Sequence, residues 1–380
     1  MNLSLQTRAF HILRPAICLW LIFFAVNVVA QEKKKEQPPP DLRIETIEAR
    51  LPLRAWDTKG NRLTNLTTKD VVVIENREGR QVTSLKFEPA NILLVLDQSV
   101  EFGTIKNGRP KLQRESSGSN RLLTAPAAVD FAETLISLLG EADHLAIIQY
   151  SDQVELIQNW TADRQEARQA LRTKFRQGDK TRFYDALQLA ADTLSKSPEG
   201  RRVMVLLTDG VDTVSQTQKQ AALASLTQTG VTLFIVSWAE FIKKPVEDTK
   251  PKILSGSGGT PRDSARAGVS INVSPWVFKR NKELKNYIKK AEASAKEFTQ
   301  VAENSGGELY LPKDFDELLA KPIEIMREVG AQYTLTYLTE KTANEVALRD
   351  VEVLGARSIT IRARKKFYIG ENQAKEETKK

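Results

Sequence analysis

The segment Asn91–Val100, NILLVLDQSV, constrains the fold more than any other part of the chain. Its uninterrupted apolar run, Ile92–Leu96, is typical of a strand buried on both faces, in a parallel sheet covered by helices. Asp97 and Ser99 follow at the end of that strand, where open α/β sheets bind their ligands. The segment therefore predicts an α/β domain with an oxygen-rich site at one edge of its sheet.

Two later segments are predicted to reach the same edge. Arg201–Gly210, RRVMVLLTDG, is a second buried-strand run and ends in Asp209. Gly178–Leu187, GDKTRFYDAL, places Thr181 just before a helical pattern. Aspartate, serine and threonine offer only oxygen ligands, which suit a hard cation such as Mg²⁺, Mn²⁺ or Ca²⁺. We therefore predict a divalent-cation site built from these three segments.

The three segments resemble the metal-ion-dependent adhesion site of the von Willebrand factor type A domain. That site reads D-x-S-x-S, then a threonine ahead of Y-D-A-L, then T-D-G. The resemblance implies that Asp97, Ser99, Thr181 and Asp209 surround a divalent cation. It also implies that an acidic residue of a partner protein takes the open coordination position. Glu101 stands where the family has its second serine, and we include it among the predicted metal ligands.

Glu101 leaves several outcomes open for this site. A third carboxylate over-neutralises a divalent cation, which predicts tighter cation binding with weaker capture of an acidic ligand. A self-capped site is a second outcome. A side chain that swings out and leaves a site of four residues is a third. A vestigial site that holds no metal is a further alternative.

The order of patterns along the chain predicts the architecture. Between residues 91 and 330, helical and strand patterns alternate, as in a doubly wound, mostly parallel sheet. His144–Tyr150 and Val154–Asn159 are joined by so short a link that they can pair only antiparallel, which predicts one antiparallel edge strand. Residues 42–90 and 331–370 have strand patterns, and neither segment holds enough strands for a stable core. We predict a type A domain over 91–330 and a small β-sandwich built from the two flanking segments.

The flanking segments extend the resemblance to the secreted bacterial VWFA-related proteins, a family known best from Acidobacteria. The motifs that match this family are Lys69–Glu75, Ser305–Tyr310, Tyr333–Tyr337 and Arg362–Tyr368. Two long polar inserts, Phe102–Asn120 and Ala239–Arg280, depart from the pattern, and we predict that both are loops.

The N-terminus predicts the compartment. A basic start, the apolar run Ala16–Phe24 and a small-residue end at Ala30 are typical of a signal peptide over residues 1–30. An uncleaved membrane anchor is the alternative, although a spanning helix needs about 20 apolar residues. Residues 31–41 read as a linker rich in charge and proline, and residues 371–380 as a disordered tail. We expect a secreted, periplasmic or envelope protein that meets the membrane only if the signal segment stays uncleaved.

The side-chain inventory excludes much catalytic chemistry. Cys18, the only cysteine, lies in the signal segment, so the mature chain has neither disulfides nor thiol catalysis nor thiolate metal sites. His11 also lies there, and His144 begins an apolar strand, where a structural role is favoured. With no general base predicted near Asp97, we expect no enzymatic activity.

The sequence therefore favours a secreted binding module that holds a protein or matrix partner through the cation. The alternatives are a metal-assisted hydrolase or phosphatase, and a structural envelope protein with a degenerate metal site. The net charge of +8 is diffuse except at Arg357–Lys366, which predicts a half-exposed strand with a basic outer face. That face leaves contact with a membrane surface or an acidic polymer open. Nucleic-acid binding is not expected, because an aromatic-basic module is missing.

Overall fold

The described structure begins at Ile44 and ends at Gly370. A computed structural model describes residues 44–99, 105–106, 109–110, 125–178, 180–240, 275–342 and 345–370. The strands are β1 (Ile44–Trp56), β2 (Val71–Glu75), β3 (Glu78–Arg80), β4 (Val82–Lys86), β5 (Ala90–Asp97), β6 (Ile105–Lys106), β7 (Arg109–Pro110), β8 (His144–Tyr150), β9 (Val154–Thr161), β10 (Arg201–Thr208), β11 (Thr232–Ser237), β12 (Glu308–Tyr310), β13 (Tyr333–Thr342), β14 (Ala347–Gly355), β15 (Thr360–Ala363) and β16 (Lys366–Ile369). The helices are α1 (Ala125–Ser137), α2 (Arg164–Lys174), α3 (Phe183–Leu194), α4 (Lys219–Gln228), α5 (Pro275–Asn304) and α6 (Phe315–Gly330). Glu101 and the predicted signal peptide, linker and tail lie outside the described residues.

A six-stranded sheet forms the centre of the fold, in the order β12-β11-β10-β5-β8-β9. Neighbouring strands are parallel from β12 to β8, and β9 runs antiparallel to β8 at the edge. Successive strands of the chain are added first on one side of β5 and then on the other, beginning with β10. The point where the strand order reverses, between β5 and β10, is where open α/β sheets bind ligands.

Helices cover both faces of this sheet because its central strands are apolar on both sides. In β5, Ile92, Leu94 and Leu96 enter one core cluster and Leu93 and Val95 enter the other, as the two-residue period of a strand requires. The first cluster is closed by α1, α2 and α6, and the second by α3, α4 and α5. The continuous apolar run was therefore a correct signal for a doubly covered strand.

The flanking segments form two further four-stranded sheets. Their strand orders are β15-β1-β13-β4 and β16-β14-β2-β3, so each sheet combines strands from both ends of the described chain. Leu51 and Leu53 of β1, Val73 of β2, and Leu335 and Tyr337 of β13 lie in their common core. The predicted fold class, an α/β domain with one antiparallel edge strand and a β-sandwich from the flanks, is confirmed.

The sandwich meets the α/β domain at the edge opposite the carboxyl ends of the parallel strands. Arg54 of β1 donates to the carbonyl oxygen of Gly306, ahead of β12 (2.7 Å), and Arg364 donates to that of Val231, ahead of β11 (2.9 Å). Arg201, at the start of β10, donates to the carbonyl oxygen of Glu88, between β4 and β5 (2.7 Å). The carboxyl edge is therefore left clear of the sandwich.

Three basic side chains of the segment 357–366 form ion pairs at the surface. Arg362 pairs with Glu308 (2.5 Å), Lys365 pairs with Glu303 (3.3 Å), and Lys366 pairs with an aspartate on β14. Arg364 is buried, so the prediction that it lies on an exposed basic face is wrong. β15 ends one residue earlier, and the side chain turns inward to bind backbone carbonyls.

Two helix starts differ from the sequence pattern. The predicted loop 239–280 is wrong at its end, since α5 already begins at Pro275. The helical pattern in the sequence starts at Ser215, but the helix begins only at Lys219, because Ser215 caps α3 instead: its hydroxyl accepts from the backbone N–H of Tyr184 (3.0 Å). No helix in the described part of the chain is both long and apolar enough to cross a membrane.

Candidate metal centre

Two aspartates lie side by side at the carboxyl edge of the central sheet. Asp97 is the last residue of β5, and Asp209 directly follows β10, its parallel neighbour. Both side chains are buried, with 3% and 4% of their surface exposed. Parallel strands in register end at the same edge, so the two apolar runs bring these carboxylates together.

The loop that carries Thr181 lies between the loops that follow β5 and β10. On one side, Gly178 pairs with Ser99 and donates its N–H to the carbonyl of Gln98 (3.2 Å). On the other side, the Thr181 carbonyl accepts from the backbone N–H groups of Thr213 (3.0 Å) and Val214 (3.1 Å). The structure therefore brings Asp97, Ser99, Thr181 and Asp209 to one edge.

Three hydrogen-bond donors hold the Asp97 carboxylate. Its Oδ1 accepts from the backbone N–H of Ser99 (2.9 Å) and from the Ser99 hydroxyl (2.7 Å). Its Oδ2 accepts from the hydroxyl of Tyr150 (3.1 Å), at the end of β8. The Tyr150 hydroxyl also lies 2.6 Å from the hydroxyl of Thr208, the residue before Asp209, so one buried network joins the two strand ends.

Hydrogen bonds hold the Asp209 carboxylate as well. Oδ1 accepts from the backbone N–H of Val211 (2.9 Å) and Oδ2 accepts from the hydroxyl of Tyr287, while the Trp238 side chain and the backbone N–H of Asp209 act to lower its pKa. Tyr287 belongs to α5, and Trp238 directly follows β11. These contacts orient Asp209 from two elements that are distant in sequence.

The electrostatics of the pair favour a bound positive charge. Burial first, and then the negative charge of Asp209, raise the pKa of Asp97 to about 8, against the hydrogen bonds from Ser99 and Tyr150. Burial also raises the pKa of Asp209, although its hydrogen bonds, that of Tyr287 first, act to lower it. Two buried carboxylates in one site repel each other when both are ionised. A bound cation would compensate both charges, and without one a proton would neutralise one of them.

An unpartnered hydroxyl in the same place fits a cation ligand. The Thr181 side chain is fully buried, and its Oγ1 has no hydrogen-bond partner among the described residues. A buried polar atom without a partner is costly, and a divalent cation would satisfy it. The described residues contain no group of three or more acidic, histidine or cysteine ligands, so a cation here would rely on two carboxylates and on hydroxyls. That oxygen-only donor set suits Mg²⁺, Mn²⁺ or Ca²⁺.

A family model matches the part of the chain that carries Thr181 and Asp209. The family model of the von Willebrand factor type A domain matches residues 115–264. The chain contains a von Willebrand factor type A domain. No curated protein matches the sequence. The narrower resemblance to the acidobacterial family stays a prediction.

Several solved structures match the chain at low sequence identity. An aerotolerance-related membrane protein from Bacteroides fragilis is 17% identical over 63% of this chain and 98% of its own, with a TM-score of 0.38. The conserved hypothetical protein BatB from Bacteroides thetaiotaomicron is 14% identical over 39% of this chain and 66% of its own, with a TM-score of 0.31. Proximal thread matrix protein 1 from the mussel byssus, with a zinc-occupied MIDAS motif, is 15% identical over 40% of this chain and 39% of its own, with a TM-score of 0.32. The match therefore spans less than two thirds of the last two proteins.

Sequence reasoning missed three side chains around the site of the type A domain. Tyr150 ends an apolar strand pattern, as Asp97 does, so the sequence could have predicted that it lies at the same edge of the sheet. Trp238 also directly follows a buried strand, β11. Tyr287 carries no such signal, because it lies 78 residues from Asp209 within a charged helix.

Gly210 allows α5 to approach the loop after β10. Its φ is 74°, and a Cβ there would lie 2.8 Å from the Cβ of Ser294 on α5. We expect Gly210→Ala to lower the free energy of unfolding by about 1–3 kcal/mol, through a left-handed backbone and a clash with the helix. Gly60→Ala is the control, since Gly60 has a φ of 81° with nothing within 4 Å of an added Cβ. Urea unfolding should show the larger loss for Gly210→Ala, and equal losses would contradict the clash.

Proposed function

We propose that this protein is a secreted or envelope-located, non-enzymatic binding module that holds a protein or matrix partner through a divalent cation. The cation would be held by Asp97, Ser99, Thr181 and Asp209. Glu101, which lies outside the described residues, is a fifth predicted ligand that makes the first motif a D-x-S-x-E variant. When bound, the cation would supply a positive charge to which an acidic side chain of the partner can bind.

The observation that carries this proposal is the unpartnered Thr181 hydroxyl beside two buried carboxylates. Burial makes negative charge on Asp97 and Asp209 unfavourable, and Thr181 offers an oxygen that has no partner among the described residues. The family match supports the same reading, because type A domains are generally binding modules. The signal-peptide pattern supports export, and the placement of the sandwich at the opposite edge supports a carboxyl edge that is open to a partner.

The residues also argue against the enzymatic alternative. Tyr150 is the remaining titratable group bonded to Asp97, and burial raises its pKa well above the ordinary value, so the phenol is a hydrogen-bond donor rather than a base. His144 begins β8, and Tyr150 ends it, so this histidine is at the opposite end of the strand from the carboxylates. Among the described residues, neither an imidazole nor a phenolate base therefore lies beside the two carboxylates.

A cation titration of Thr181→Val tests the proposal. We expect the unaltered protein to bind Mn²⁺, measured as loss of the free-ion electron paramagnetic resonance signal, with Mg²⁺ as competitor. Thr181→Val should weaken Mn²⁺ binding at least tenfold. Loss of a residue that only supports a metal ligand already lowers metal affinity by about that factor. In EDTA the same variant should be as stable as the unaltered protein or more so, since the lost hydroxyl had no partner.

Thr193→Val is the matched control. The Thr193 hydroxyl is also buried, but it donates to the carbonyl of Leu189 within α3 (2.7 Å). We expect this variant to lose about 1 kcal/mol of stability and to keep its Mn²⁺ affinity. If the unaltered protein bound no cation, the structural envelope role would be favoured over the binding module. Turnover of phosphate esters that requires the cation would favour the hydrolase.

A further inference from the structure

Each carboxylate of the candidate site accepts a hydrogen bond at its Oδ2 from a tyrosine hydroxyl. Tyr150 donates to Asp97 and Tyr287 donates to Asp209. An ionised carboxylate has about four lone-pair positions. Val211 donates to Oδ1 of Asp209, and Tyr287 donates to Oδ2. Each oxygen thus carries one of these hydrogen bonds, so the carboxylate can face a cation without displacing the tyrosine.

The helix that carries Tyr287 is fixed against the site. Tyr287 packs with Val211, Ala239, Ala291 and Ala295 in a small apolar cluster. Further along the same helix, the Ser294 hydroxyl donates to the carbonyl of Gly210 (2.6 Å). Because α5 is fixed in this way, the position of the Tyr287 hydroxyl is fixed too. Its hydrogen bond therefore restricts rotation of the Asp209 carboxylate.

We propose that Tyr287 is a positioning residue of the cation site, which fixes the orientation of the Asp209 carboxylate toward the cation. This role rests on the proposed function. A charge-assisted hydrogen bond to a carboxylate is stronger than one between neutral groups, so it holds the carboxylate in one orientation. Such outer partners typically contribute about 10- to 100-fold to metal affinity.

The alternative is that Tyr287 competes with the cation for Asp209. The two roles predict opposite changes in affinity, which makes them separable. Under the positioning role, removing the phenol hydroxyl weakens cation binding. Under competition, the same change strengthens it.

The test is Mn²⁺ binding by Tyr287→Phe, followed by electron paramagnetic resonance, with unfolding in EDTA measured alongside. We expect affinity to fall about 10- to 100-fold. Tyr310→Phe is the matched control, because the Tyr310 hydroxyl is buried without a hydrogen-bond partner among the described residues. Ser294→Ala is the control for helix docking, since it loosens α5 from Gly210 without touching the carboxylate. Both controls should stay within about twofold of the unaltered protein, well below the change that a lost outer partner produces.

A second measurement does not depend on the variant folding. In unaltered protein labelled with ¹³C at tyrosine Cζ, the Tyr287 resonance should keep its hydrogen-bonded shift when Mg²⁺ is added. Release of that hydrogen bond by Mg²⁺, or an unchanged or higher Mn²⁺ affinity in Tyr287→Phe, would overturn the positioning role while leaving the cation site intact. An equal loss in Ser294→Ala would assign the effect to helix docking. Absence of Mn²⁺ binding by the unaltered protein would instead remove the proposed function, and this role with it.

Discussion

Replacing Arg54 by methionine is expected to lower the free energy of unfolding by about 3–5 kcal/mol. The Arg54 side chain is 1% exposed, and its Nη1 pairs with Glu328 on α6 at 2.6 Å. Its Nη2 donates to the carbonyl of Gly306, and its guanidinium lies 5.4 Å from the centroid of the Phe234 ring. Methionine would replace much of the apolar stem but would leave Glu328 short of a buried partner and Gly306 without its donor. Urea unfolding followed by circular dichroism measures the loss.

Two further variants show whether burial is the cause. Arg362→Met breaks an ion pair with Glu308 whose side chains are 48% and 36% exposed, and it should cost less than about 1 kcal/mol. Adding Glu328→Met to Arg54→Met should restore part of the lost stability, because it removes the carboxylate that has lost Arg54, while Gly306 stays without its donor and Arg62 loses its partner. A loss for Arg54→Met no larger than that for Arg362→Met would show that this contact does not hold the sandwich to the α/β domain.

In the absence of cations, Asp97→Asn is expected to stabilise the protein at alkaline pH, by on the order of 3 kcal/mol. The pKa of Asp97 is raised to about 8 in the folded state, from an ordinary value of 3.8. Between these values the folded state binds more protons than the unfolded state, so stability falls as the pH rises from about 4 to about 8. Asparagine carries no charge, so the variant should not show the loss of stability that the ionisation of Asp97 causes. It should also lose Mn²⁺ binding, because a neutral amide replaces a charged ligand.

Urea unfolding in EDTA at pH 5 and pH 9 measures this difference. The two proteins should be of similar stability at pH 5, and the variant should be the more stable at pH 9. Asp185→Asn is the contrasting control. Partial burial acts to raise the pKa of Asp185, but hydrogen bonds from Thr217 and Gln216 bring it below the ordinary value. Asp185→Asn should therefore be less stable than the unaltered protein at both pH values. If Asp97→Asn were also less stable than the unaltered protein at both pH values, the charge on Asp97 would not be unfavourable.

The central sheet could be predicted because its signal is local. Ile92–Leu96 and Val203–Thr208 are apolar without interruption, and a strand of that kind must be buried on both faces. The short link between β8 and β9 fixed their antiparallel pairing, and the ends of β5 and β10 fixed the positions of Asp97 and Asp209. Thr181 was found because a family motif marks its loop.

The surroundings of the site could not be predicted in this way. Tyr287 and Trp238 reach Asp209 from α5 and from the end of β11, and no local pattern reports which distant side chain will meet a carboxylate. The same limit applies to Ser215, which caps α3 rather than starting α4. A periodic pattern reports which side of a segment is buried and leaves its partner unspecified.

The sequence by itself determined the class of fold, the two strand ends and the oxygen ligands, because strand burial and ligand chemistry are properties of short segments. Only the tertiary structure decided that Arg54 and Arg364 are buried between the sandwich and the α/β domain, and that two phenols hold the two carboxylates. The reason is that charged and hydroxyl side chains are buried only where a partner from elsewhere in the chain satisfies them, and that partner is set by the packing of whole elements.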